Sequence, residues 1–167
     1  MNLNFNLNPL RDMLRSGLSK LCPELIKKYP EGSTFNLQNE AIAKYGKSAR
    51  KLILKIANEY ERKFARDVSV NQDIVRFIKS NKNRYSLYIW SINTQRTITK
   101  YSKLVGINNC FKGVIGRDDV DFIKYYPDGF FQIFDPENQK RGDYLLIGDS
   151  DKSDGVAAVL CGIDFYK

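Results

Sequence analysis

Histidine is absent from this chain, and that alone removes several mechanisms. No Ser-His-Asp triad, no Cys-His pair and no histidine-bearing metal site can be built. Any hydrolytic chemistry must run on carboxylates, hydroxyls, lysine, or a hard cation held by oxygen. Cysteine is scarce: Cys22, Cys110 and Cys161 lie far apart and form no Cys-x-x-Cys pair. That spacing argues against a zinc site or a disulfide framework, and a reducing, cytoplasmic setting is the expectation. Long apolar runs are missing too. The longest, around Leu145 to Ile147 and Val156 to Cys161, fall far below the roughly 20 residues of a membrane span. The first residues carry asparagine at every second position, with neither a basic start nor an apolar stretch. They do not read as a signal peptide, and no membrane contact is expected.

What is present suits one domain, or one domain with a small lid. At 167 residues the chain can bury a real core. Its 43 % hydrophobic and 28 % charged residues match ordinary globular usage and argue against wholesale disorder. The net charge of +8 is unevenly placed. Residues 1–66 hold 13 Lys/Arg against 6 Asp/Glu, whereas residues 67–167 hold 14 against 13. Two regions with different tasks are implied.

The periodicity changes along the chain. Leu3 to Asn8 alternates apolar and polar, the rhythm of a half-buried strand, and Pro9 ends it. A helical stretch follows from about Pro9 to Lys28, with a break at Tyr29-Pro30-Glu31-Gly32-Ser33. A long helix is predicted over about 37–66. Ile42, Tyr45, Ala49, Leu52, Ile56, Tyr60 and Phe64 share one of its faces; Lys44, Lys47, Lys51, Lys55 and Arg62 share the opposite one. Beyond Val68, short apolar strands at 87–90, 113–116, 144–147 and 162–166 alternate with helices at 71–81, 94–105 and 153–160. Apolar strands alternating with helices predict a parallel sheet covered on both faces.

Three segments carry chemistry. Gly148-Asp149-Ser150-Asp151-Lys152-Ser153-Asp154 sits where a strand ends and a helix begins, the place where open parallel sheets bind ligands. Asp149 and Asp154 could hold a divalent cation such as Mg²⁺ there; a turn with solvated acids at a helix start is the alternative. Tyr88-Ile89-Trp90-Ser91 is a second strand end. The Ser91 hydroxyl, with free amides behind it, could donate to a phosphate oxygen, or simply cap a helix. In Lys124-Tyr125-Tyr126-Pro127-Asp128-Gly129-Phe130, Lys124 could offset negative charge beside such a site, or be solvated on a loop.

Taken together, strand-Ser, then Lys-x-x-Pro-x-Gly-Phe, then strand-Gly-Asp-Ser-x-x-Ser-Asp resembles the second, third and fourth motifs of the haloacid dehalogenase (HAD) superfamily, in order and spacing. The likeness spans about residues 71–167. It implies an α/β fold, a five-stranded Rossmann-like parallel sheet in the order 5-4-1-2-3, with a small helical cap. Residues 1–13 and 68–167 would form the core and residues 14–67 the cap. The resemblance further implies a Mg²⁺-dependent phosphohydrolase that opens with Asp-x-Asp-Gly-Thr, nucleophile first and general acid/base second. Here Phe5-Asn6-Leu7-Asn8-Pro9-Leu10 places Asn6 and Asn8 at those positions. They would join Asp149 and Asp154 around the metal, with Ser91 and Lys124 on the phosphate. An amide is a poor nucleophile and cannot act as a carboxylic acid, so catalysis should be impaired. A second reading has the asparagines on an exposed edge and the first motif absent; a chain with deliberate Asp-to-Asn exchanges would look the same.

Three functions follow. One is a disabled hydrolase that keeps a phosphorylated small molecule or an acidic protein surface as its ligand. The second is an active Mg²⁺ phosphatase. The third is a structural subunit docking an acidic partner or RNA through the basic helix face, although no aromatic interleaving or recognition motif supports nucleic acid.

Overall fold

Leu10, Leu14 and Leu18 recur every fourth residue and decide the first helix. The computed structural model describes residues 2–3, 7–30, 34–64 and 68–167. In it, helix α1 runs Leu7–Leu18 and buries all three leucines. Pro9 lies in its first turn, where a backbone N–H has no intrahelical acceptor, so proline is tolerated there. Among the described residues of the strand predicted over Leu3 to Asn8, Leu3 belongs to the strand Asn2–Leu3 (β1), paired antiparallel with Val68–Ser69 (β2), while Leu7 and Asn8 are helical; residues 4–6 lie outside the described residues. The predicted Pro9–Lys28 helix is also interrupted: a turn at residues 19–22 separates α1 from α2, Pro23–Lys28.

The long helix α3 spans Thr34–Phe64, bent at Gly46, whose φ of 55° is in the left-handed region that favours glycine. Its predicted apolar stripe faces inward at Ile42, Ala49, Ile56 and Tyr60, while Phe64 ends up exposed. Lys44, Lys47, Lys51, Lys55 and Arg62 are exposed on the other side. A Cβ on Gly17 of α1 would fall 2.5 Å from Ile56 Cδ1, so glycine lets α1 and α3 approach closely. Together α1, α2 and α3 enclose one hydrophobic cluster around Leu14, Leu18, Leu37 and Ile53.

Beyond it come α4 (Gln72–Asn81), β3 (Tyr88–Trp90), α5 (Gln95–Val105), β4 (Gly113–Ile115), the short α6 (Asp128–Phe131), β5 (Leu145–Ile147), α7 (Val156–Cys161) and β6 (Asp164–Tyr166). Asn71 caps α4 by accepting from the Asp73 and Ile74 amides, as its residue type favours. A second cluster gathers Ile115, Val120 and Ile123 against Trp90, Ile92 and Ile133. The clusters exchange one ring each: Phe35 of α3 packs on the second, and Phe122 packs on the first.

The sheet differs from the expected five strands. Parallel pairs β3–β4 and β5–β6 form, as adjacent strands of the expected order should, but each is three residues long and the pairs share no ladder among the described residues. Of the segment expected to run between them, the described part is helical from Leu7 onward, and among the described residues β1 pairs with β2. Asn6 lies outside the described residues.

Leu14 is fully buried in the helical cluster, so Leu14→Ala should cost about 2–5 kcal/mol. Leu104→Ala, at a 73 % exposed site, should change stability by no more than about 0.5 kcal/mol. Urea unfolding followed by helical circular dichroism checks both, and equal small losses would sink this packing scheme.

Candidate functional site at the strand ends

The loop after the second cluster delivers Lys124 to the C-terminal ends of β3 and β5. Its ammonium lies 2.8 Å from Asp154 Oδ1, with the lysine 8 % and the aspartate 7 % exposed. The other carboxylate oxygen of Asp154 accepts from the Ser150 amide at 3.2 Å. A single irregular turn, Asp151–Gly155, aims Asp154 inward, its amide donating back to the Ser150 carbonyl at 2.7 Å. Two glycines make room. A Cβ on Gly148 would stand 2.6 Å from Asp154 Cγ, and one on Gly129 would stand 2.2 Å from Trp90 Nε1. Trp90 thus lies on the Gly129 backbone, and its ring centre is 4.9 Å from Lys124 Nζ, within cation–π range. A buried ammonium is tolerable here because it has a carboxylate and a ring face.

Of the predicted residues, the structure brings Lys124 and Asp154 together and sets Ser91 one residue beyond Trp90. Asp149 is exposed, and Asn8 is exposed on α1. The amides behind Ser91, expected to be free, are taken. Asn93 N–H donates to Ser91 Oγ at 3.2 Å, Thr94 N–H to Glu61 at 3.1 Å, and Gln95 N–H to Asp118 at 2.8 Å. Protein carboxylates occupy the start of α5 because its unpaired N–H groups and positive dipole end attract anions.

The residues that hold this loop escaped the sequence reading. Glu61 is buried on α3 and also accepts from Thr94 Oγ1 at 2.5 Å. Arg117 is buried as well. Its backbone amide donates to Asn93 O at 2.9 Å, its Nε to Ile92 O at 2.8 Å, and its guanidinium to Gln38 of α3. Burial pushes Arg117 down to about 10, which leaves it cationic at neutral pH. Asn39 of α3 pairs with both backbone groups of Ile123, and Arg50 reaches the Asp118 and Val120 carbonyls and Asp121. One signal was available: Ile53, Ala57 and Glu61 continue a single i, i+4 row, so an acid lay in line with the core.

The chemical inventory is narrow. Among the described residues no three His, Cys, Asp or Glu side chains converge as metal ligands. Both oxygens of Asp154 are engaged, which leaves Asp149 as the uncommitted carboxylate of the predicted pair. Cys161 is no nucleophile, because burial pushes its thiol up to about 11 and a thiol rather than a thiolate is present at neutral pH.

Removing the buried acceptor in Glu61→Ala should cost about 1–3 kcal/mol, since the Thr94 N–H loses its partner. Glu59→Ala, at an exposed position, should fall within about 0.5 kcal/mol. Parallel denaturant titrations would separate them, and equal effects would discount the Glu61 contact. At pH 7.5 a chromogenic disulfide reagent should label the half-buried Cys110 first. The buried Cys22 and Cys161 should react only in denaturant, and rapid labelling of three thiols would contradict their burial.

Comparison with known proteins gives a consistent result. The family description for haloacid dehalogenase-like hydrolases matches residues 14–167. A HAD-hydrolase of Bacillus subtilis, YfnB, whose magnesium-bound crystal form is described as revealing interdomain movement, superposes with a TM-score of 0.55. It is 18 % identical, over 95 % of this chain and 71 % of that one. A haloacid dehalogenase-like hydrolase of Bacteroides fragilis superposes at 0.54 with 20 % identity, over 95 % of this chain and 80 % of that one. No curated protein matches the sequence. With a family match over nearly its whole length, the chain belongs to the haloacid dehalogenase-like hydrolases.

Proposed function

We propose that this protein binds a phosphate-bearing ligand at Lys124 and hydrolyses phosphate esters poorly or not at all. The observation that carries this reading is the buried Lys124–Asp154 pair under Trp90. It presents a fixed cation at the strand ends, while the positions of the family's nucleophile and acid/base hold Asn6 and Asn8. A lysine has three donors, and one is used by Asp154. Ser91 adds a hydroxyl on the same strand end. Residues 14–67 act as a cap over a core of residues 1–13 and 68–167; the interdomain movement described for the Bacillus subtilis relative supports a two-part molecule, although helix α1 crosses the boundary and Leu10 joins the helical cluster.

Magnesium belongs to the family's chemistry, and that relative was crystallised with it. The donors described here do not fit a resident ion: Asp154 is committed to Lys124 and Ser150, Asn8 sits on α1, and Asp149 would be left without a second acid. Ligand binding is therefore assigned to the chain's own groups, with no step through a metal.

The test is a panel of phosphate esters with Mg²⁺, alongside calorimetric titration with orthophosphate. Turnover should lie at least about 10³-fold below the usual enzyme range, and Lys124→Met should weaken orthophosphate binding about tenfold or more. Because Asn8 is on a helix face, Asn6→Asp/Asn8→Asp should gain less than about tenfold in rate. Ordinary turnover by the native protein, or a large gain in the double variant, would instead establish a working phosphatase.

A further inference from the structure

Beyond its bend at Gly46, helix α3 carries charge of one sign along its exposed side. From Lys47 it runs unbroken to Phe64. At about 100° per residue, Lys47, Lys51, Lys55, Asn58 and Arg62 fall within about 80° of arc. All five are exposed, and no other residue of this part of α3 falls on that arc. The stripe therefore holds four cations, one amide and no acid. At about 1.5 Å per residue it is about 22 Å long. Its cations differ from the others on the same helix. Lys44 pairs with Glu24 at 2.7 Å and Arg50 with Asp121 at 3.0 Å. Among the described residues, Lys47, Lys51, Lys55 and Arg62 form no ion pair. A surface that serves only solubility mixes its signs, whereas an unpaired row of one sign raises the local potential and attracts polyanions.

We propose that this stripe binds the phosphate backbone of double-helical nucleic acid without reading its bases. Lysine, arginine and asparagine all donate to phosphate oxygens. Asn58 spends one amide hydrogen on Leu54 O at 2.9 Å and keeps its second. The composition of the stripe selects among polyanions. A single strand is held by bases stacked on aromatic rings, and the arc holds none. An acidic protein surface needs an apolar anchor, and protein interfaces are depleted in lysine. A bilayer needs an apolar flank beside the cations, but Ala49, Ile53 and Ile56 of α3 are buried in the helical cluster. A duplex carries its charge on the outside at regular intervals and asks only for cations in a row. Lys124 is buried and takes no part in this contact, which stands apart from the phosphate reading above.

Fluorescence anisotropy with a labelled DNA duplex of about 20 base pairs tests this on the full chain, at KCl from about 20 to 150 mM. Four phosphate contacts predict that log K falls against log salt with a slope of about −3.6. Lys47→Gln/Lys51→Gln/Lys55→Gln should weaken binding about tenfold or more at the lowest salt and bring the slope to about −1. Lys82→Gln/Lys103→Gln/Lys112→Gln removes the same charge from exposed positions elsewhere and should leave affinity within about threefold. Equal weakening by the two triple variants overturns the proposal, because net charge alone would then account for binding. Absence of binding at the lowest salt overturns it as well. Tighter binding of a single strand of the same length, or of a glutamate-rich peptide, also overturns it and assigns the stripe to that partner instead.

Discussion

A guanidinium in the interior has to be surrounded by acceptors, and Arg117 finds them in the Ile92 carbonyl beyond β3 and the Gln38 side-chain oxygen on α3. Its backbone amide adds a bond to the Asn93 carbonyl. Because its charge persists at neutral pH, losing either side-chain acceptor would leave an unpaired cation in a medium of low polarity. The strand-end loop is thereby fixed to the long helix. Glu61 repeats the arrangement with opposite sign, its carboxylate on the Thr94 amide and hydroxyl. Ser91 itself is held by the sheet, its amide donating to the Ile115 carbonyl at 2.9 Å, and the polar seam fixes the loop that follows it.

The helical layer and the strand-bearing part meet through such hydrogen bonds and through apolar contacts. Their apolar contact includes the exchange of Phe35 and Phe122 between the two clusters. Polar contacts resemble those between domains, which are smaller and wetter than a core.

Much of this was legible in the sequence, for identifiable reasons. The helices α4 and α5 were placed by the alternation of short apolar strands with helices, and α5 also by the hydroxyl residue Thr94 at its start. The meeting of Lys124 and Asp154 came from motif order, though Trp90 as the lysine's second contact did not. The end of the first strand was misplaced: three leucines at fourfold spacing make Leu7 and Asn8 helical once Pro9 sits in a first helical turn. In place of the expected five-stranded sheet, the described strands form separate two-stranded pairs. Glu61, Gln38 and Arg117 stayed hidden because burial of polar side chains depends on partners 33 to 79 residues distant. Periodicity within one element cannot register them.

The division into two clusters bears on how the molecule comes apart. Far-UV ellipticity is dominated by α3 and its companions around the first cluster, whereas the single tryptophan, Trp90, belongs to the second. Two optical probes of one melt thus watch different cores. Where their transitions separate, a lone midpoint temperature no longer describes a property of the whole chain, and the gap between them becomes a measure of how firmly Arg117 and Glu61 hold the halves together.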